Sequence, residues 1–129
     1  MSYVLVVDDE APIRNFLRRR LEGWGHKVKE ASSATDALER MVEDPAAILL
    51  IDIHMPDHDG VWLAERIHER WSESVIIMAS AVDDIPSVEN SRKLGVVDFV
   101  RKPFDRELLL QALRRASLRL LEKPPGTVS

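Results

Sequence analysis

"AILLIDIHMPDHDG", residues 47–60, passes from an unbroken apolar run straight into a cluster of acids and histidines. A continuous run such as Ala47–Ile51 is expected at the centre of a parallel sheet, where helices cover both faces and both must be apolar. The run ends on one carboxylate, Asp52. The pattern recurs in "VLVVDDE", residues 4–10, which ends on Asp8 and Asp9, and in "FVRKPF", residues 99–104, which ends on Lys102 and Pro103. Three strand-like runs each deliver charge at their ends.

The segments between them read as helices. Tyr3–Val7 is a buried strand, and Pro12 suits the first turn of a following helix, where its missing N–H costs little. Ile13, Phe16, Leu17, Leu21 and Trp24 recur at helical spacing, with Gly23 and Gly25 as the stop. Val28 opens a short second strand. Ser32 and Ser33 are N-cap candidates for a helix carrying Ala34, Ala37, Leu38, Met41 and Val42, closed before Pro45. After the central strand, Gly60 precedes a helix with Leu63, Ala64, Ile67 and Trp71 on one side. Val75–Ala79 and Val96–Val100 are the fourth and fifth strands, separated by a weakly amphipathic helix over Ile85–Leu94. Asp105 can cap a last helix lined by Leu109, Ala112, Leu113, Ala116 and Leu120, with Leu110 and Leu121 beside that stripe as a second, partner-facing patch. Five alternations of strand and helix predict an open α/β parallel sheet with helices on both sides. The expected domain is residues 1–122, and the breaker-rich 123–129 reads as a disordered tail or the start of a linker.

Composition narrows the function. The 129 residues suffice for one domain with a sizeable core, and 45% hydrophobic with 31% charged residues is ordinary globular composition. A net charge of -4 gives no support to direct nucleic-acid binding. The absence of cysteine removes disulfides and thiolate metal sites. No apolar stretch is long enough for a membrane span and no signal-peptide pattern opens the chain, so the expected location is cytoplasmic.

In open α/β sheets, ligands bind beyond the carboxyl ends of the strands, at the point where strand order reverses. Asp8 and Asp9 stand there on the first strand, Asp52 on the third, Ser80 on the fourth and Lys102 on the fifth. Neighbouring carboxylates raise one another's pKa unless a cation neutralises them. An oxygen-only ligand set points to a hard divalent ion such as Mg2+. A carboxylate beside such a cation, an ammonium and a hydroxyl is placed to attack phosphorus, giving an acyl phosphate on aspartate.

With this combination in this order, the chain resembles a response-regulator receiver domain of two-component signalling from about Tyr3 to Leu121. The resemblance implies a doubly wound (βα)5 flavodoxin-like fold with sheet order 2-1-3-4-5. It implies that Asp52 in "DIHMPDHDG" accepts the phosphoryl group. Asp8 and Asp9 form the acidic Mg2+ pair, Asp9 direct and Asp8 largely through water, and Asp52 and the His54 carbonyl are further ligands. Ser80 in "MASA" matches the hydroxyl position and Lys102 in "KPF" the lysine, usually followed by a cis proline. Phe99 in "VDFVRKPF" matches the aromatic that swings inward on activation. His54 and Val82 occupy positions that tune phosphoryl lifetime in the family.

The implied function is a phosphorylation switch that takes phosphate from a cognate histidine kinase and catalyses only its own phosphorylation and dephosphorylation. Its face of fourth helix, fifth strand and fifth helix would act on an output domain or a partner, or form a homodimer. The tail fits either a stand-alone receiver or one cut from a longer regulator. Two alternatives compete. A haloacid-dehalogenase-type phosphatase also uses aspartate and Mg2+ but places its nucleophile in an Asp-x-Asp pattern after the first strand, which "DDEAP" lacks. A flavodoxin-like nucleotide or flavin module needs a Gly-rich loop there, and none is present. His54 and His58 fit no helical zinc spacing and read as exposed loop residues.

Overall fold

The computed structural model describes residues 3–80 and 94–122. Along the chain run β1 (Val4–Val7), α1 (Ala11–Gly23), β2 (Val28–Ala31), α2 (Ala34–Glu43), β3 (Ile48–Asp52), α3 (Gly60–Arg70), β4 (Val75–Ser80), β5 (Val96–Arg101) and a C-terminal helix (Arg106–Leu121). The expected helix over Ile85–Leu94 (apart from Leu94), Val82 and the tail 123–129 lie outside the described residues.

All strands are parallel, in the order β2-β1-β3-β4-β5. This is the implied α/β architecture. Side-chain alternation splits the apolar runs between two cores. Leu5, Val7, Leu49, Ile51, Ile76 and Met78 face α2 and α3, meeting Ala34, Ala37, Met41, Leu63, Ala64 and Ile67. Val4, Val6, Ile48, Leu50, Val75 and Ile77 face α1 and the C-terminal helix, meeting Leu17, Leu21, Leu109, Ala112, Leu113 and Ala116. Both sets must be apolar, which is why β1, β3 and β4 lack visible alternation. β5 differs: its register against β4 slips between Ile76 and Ile77, so Val96 pairs with Ile76 but Asp98 with Ile77.

The helix ends follow local chemistry. Ser33 caps α2 by accepting from Asp36 N–H, Asp59 caps α3 at Trp62, and Asp105 caps the C-terminal helix at Leu108. Gly25 adopts φ 94°, a left-handed conformation that suits glycine after α1. Three helical expectations need correction. Phe16 is exposed although its spacing fits the stripe, because Leu17 and Leu21 alone carry the fully buried side of α1. Val42 and Leu120 are likewise exposed: Val42 is one position past Met41, the last buried residue of α2, and Leu120 is a full turn past Ala116, the last buried residue of the C-terminal helix. Leu121 is exposed beside the stripe, as expected, while Leu110 is half-buried.

One triad ties α1 to the sheet edge. Glu30 on β2 accepts from Arg14 Nε at 3.0 Å and from Arg18 Nη1 at 2.8 Å. Arg14 Nη1 also donates to the Asp8 carbonyl, and Arg18 Nη2 to the Val28 carbonyl. The Arg18 hydrogen bond leads the effects that hold the Glu30 carboxyl below its ordinary pKa, against its desolvation. Among the described residues no helix is long and apolar enough to cross a membrane.

Among the described glycines, the backbone crowds most closely at Gly60. A Cβ there would lie 2.5 Å from the Asp52 carbonyl oxygen and 2.8 Å from Ile53 Cα, both backbone atoms that cannot swing away. Gly60 N–H also donates to the Ile53 carbonyl at 2.6 Å. Gly60→Ala should therefore lower the stability to urea by about 1–3 kcal/mol, as overpacking does elsewhere. An unchanged unfolding midpoint would show that α3 can retreat from the strand freely.

Candidate functional site

Parallel register brings the strand tips together. Val7 pairs with Ile51, so Asp8 and Asp52 leave their strands side by side. Asp52 itself pairs with Ala79, and Ser80 with Arg101, setting the ends of β3, β4 and β5 in one row. Lys102 follows directly. Its N–H donates to the Ser80 carbonyl at 2.9 Å, and its peptide bond to Pro103 is cis.

The Lys102 ammonium lies 3.2 Å from Asp8 Oδ2 and 3.2 Å from Asp52 Oδ1. Both carboxylates are buried, Asp8 2% and Asp52 6% exposed. Burial pushes the Asp52 carboxyl above its ordinary pKa, and the Asp8 charge adds to this, while Lys102 and the His54 N–H oppose it. Burial alone would lower the Lys102 pKa, but the charges of Asp52 and Asp8 together outweigh it and hold the ammonium above its usual value. A charged lysine thus bridges two carboxylates, one of which resists ionisation.

Asp9 and Glu10 are exposed just past Asp8. Carboxylate oxygens of Asp8, Asp9 and Glu10 gather within 4.8 Å of one another. Three acids contributing only oxygen, against the single ammonium of Lys102, suit a hard divalent cation. The residues fit Mg2+. Asp8 accepts the Glu10 N–H at 2.9 Å, while α1 takes no side-chain cap at its N-cap residue, Glu10.

Of the other sequence candidates, Ser80 is buried at the tip of β4 and Phe99 is half-buried on β5, opposite Met78. His54 is exposed, and its N–H reaches Asp52 Oδ1 at 3.4 Å. His58 is exposed and stacks on Trp62, with ring centroids 3.7 Å apart.

Two residues escaped the sequence reading. Glu10 joins the acid cluster, and its place beside the acidic pair was the available signal. Asp57 reaches from the loop after β3 to the start of α2, accepting from Ala34 N–H at 3.2 Å, Thr35 N–H at 3.0 Å and the Thr35 hydroxyl at 3.0 Å. No spacing rule flags a contact between residues 22 and 23 positions apart.

The family model for the response regulator receiver domain matches residues 4–114. The chain belongs to the receiver domain family of response regulators. This receiver is 34% identical over 115 residues to a putative NtrX-like response regulator of Rickettsia felis, covering 88% of this chain and 24% of that protein. It is 34% identical over 113 residues to the C4-dicarboxylate transport transcriptional regulatory protein DctD of Rhizobium meliloti, covering 88% and 25%. The crystal structure of the receiver domain of NtrX from Brucella abortus superposes with a TM-score of 0.82 at 30% identity, covering 88% of this chain and 96% of that one. The receiver spans about a quarter of the length of these curated relatives. The phosphatase alternative finds no support among them, and the receiver is a signalling domain, consistent with a phosphorylation switch.

The raised Asp52 pKa has a thermodynamic consequence. A group whose folded pKa exceeds its unfolded one adds stability at low pH, and that contribution is lost as pH rises through the folded value. Above the raised folded value the ionised Asp52 therefore costs stability that a neutral isostere would not. Asp52→Asn should melt at a higher temperature than the native receiver at pH 7. The gap should close as pH falls from above the ordinary carboxylate value near ~4 to below it. A variant less stable at pH 7 would mean that the Lys102 pairing outweighs the desolvation.

Proposed function

We propose that Asp52 is the phosphoacceptor of a Mg2+-dependent switch, served by Asp8, Asp9, Lys102 and Ser80. The observation that carries this is the Lys102 ammonium held 3.2 Å from both buried carboxylates at the carboxyl edge of the sheet. An unmodified Asp52 oxygen attacks the donor's phosphorus, the bond from phosphorus to the donor breaks, and an acyl phosphate forms on Asp52. Asp8 and Asp9 hold the cation, with the His54 carbonyl as a further ligand and Glu10 as a neighbouring acid. Bound Mg2+ would neutralise charge on the transferring group. Lys102 moves from pairing with Asp52 to pairing with a phosphoryl oxygen, and Ser80 donates its hydroxyl to another. The residues thus catalyse only the domain's own phosphorylation and dephosphorylation.

The donor is a histidine kinase or a small phosphodonor, the location cytoplasmic. Phe99 is the switch aromatic, half-buried on the edge strand β5 and packed against the core that faces α2 and α3. β5 and the C-terminal helix then carry the change to an output domain or to a second copy in a homodimer. The exposed Leu108, Leu118 and Leu121 on that helix support such a contact surface. Residues 1–122 form the receiver unit and 123–129 lead out of it.

Acetyl phosphate with Mg2+, read by intact mass, tests the assignment: the native receiver should gain one acid-labile phosphoryl group and Asp52→Asn none. Full labelling of the variant would move the site elsewhere. Lys102→Ala should still fold and should lose the activated state. Beryllofluoride with Mg2+ should shift amide resonances of residues 94–104 and the C-terminal helix in the native receiver, and far less in that variant. Identical shifts in both would remove Lys102 as the coupling cation.

A further inference from the structure

We infer that Asp57 is a positioning residue, clamping the loop after the phosphoacceptor to the N-terminus of α2 and so pre-forming the cation site. The inference deepens the proposed function and rests on its reading of the acidic cluster and the His54 carbonyl as the Mg2+ site.

α2 is a fixed anchor, since Ala34, Ala37 and Met41 are fully buried against the sheet. Its first turn leaves N–H groups without helical partners, as every helix does. The Asp36 N–H is met within the segment by Ser33 Oγ at 3.0 Å, and Asp36 in turn accepts the Ser32 N–H. Among the described residues, the N–H groups of Ala34 and Thr35 are met from outside the helix, by the two oxygens of Asp57. The Thr35 hydroxyl completes a three-donor cradle. Desolvation disfavours the charge on Asp57, but hydrogen bonds from Thr35, His58 and Ala34 overcome it and keep the carboxyl far below its ordinary pKa. The clamp is therefore ionised and engaged throughout the working pH range.

The loop it holds is short and carries the chemistry. Residue 57 lies three positions after His54 and five after Asp52. Ile53 N–H holds the start of the loop to the Ala79 carbonyl of β4 at 3.1 Å, and its end is held by Gly60 N–H on the Ile53 carbonyl and Asp59 on Trp62 N–H. Asp57 is the side chain that ties the middle of the loop to α2. Without it, the segment around residues 55–58 must be ordered when the cation binds, and that ordering subtracts from affinity.

The test compares Asp57→Ala with Ser33→Ala. Both remove a cap from the same helix end, but only the first releases the loop. Asp57→Ala should exchange amide hydrogens of residues 55–58 about fivefold faster and raise the Mg2+ half-saturation, measured by calorimetry, by a similar factor. Ser33→Ala should lower the melting temperature while leaving both readouts at native values. Asp57→Asn, which keeps one acceptor oxygen, should fall between. Equal effects from the two alanine variants, or native exchange and Mg2+ binding in Asp57→Ala, would overturn the clamp. A native receiver with no saturable Mg2+ response would bring down the metal-site reading itself, and the positioning role with it, before any variant was compared.

Discussion

Two carboxylates are buried side by side at the end of a sheet, and one ammonium stands between them. Neither Asp8 nor Asp52 is accessible enough for water to dissipate its charge, and such a pair is costly unless each charge has a partner. Lys102 serves both, yet it arrives from the far side of the sheet, across β4 and β5. The parallel register must therefore align the tips of β1, β3, β4 and β5 for the charges to meet at all. A one-residue slip in β3 would turn Asp52 toward a core and present Ile51 or Ile53 in its place.

This requirement accounts for the composition of the strands. Both faces of β1, β3 and β4 are sealed under helices, which fixes their positions to within a side chain's width. Gly60 lets α3 approach the Asp52 backbone directly, and the loop between them is pinned at both ends. The charge imbalance, three acids and Asp52 against one lysine, is left unresolved by the protein's own residues. That residual negative potential suits the tip to a cation.

The fold was legible because its signals are local. Continuous apolar runs, Pro12 at a helix start, serine and aspartate caps and glycine stops each act within a few residues. The strand order was not legible from periodicity; it came with the resemblance carried by Asp8, Asp9, Asp52 and Lys102. Helical spacing misplaced Phe16 and Val42, because a stripe read from sequence is wider than the strip of helix the sheet covers, and Leu120, because the stripe continues a turn past the stretch that is buried. That Asp8, Asp52 and Lys102 gather was legible because they sit at strand ends, where an apolar run stops on a charge. Asp57 was hidden for the opposite reason. It lies in a polar loop among other acids, and its partners are backbone N–H groups, which have no letter in a sequence.

The Arg14–Glu30–Arg18 triad constrains how this receiver can change over generations. Glu30 satisfies two guanidinium groups that stand one helical turn apart on α1. If Arg18 is lost first, Arg14 still pairs with Glu30 and still holds the Asp8 carbonyl. If Glu30 is lost first, Arg14 loses its carboxylate partner and Arg18 keeps only Glu22, at 3.2 Å, among its described ion pairs, leaving two like charges four residues apart with one acid to serve them. Loss of the acid therefore disturbs both arginines at once, whereas loss of Arg18 disturbs only its own contacts, so drift at this edge of the sheet is biased in its order by electrostatics.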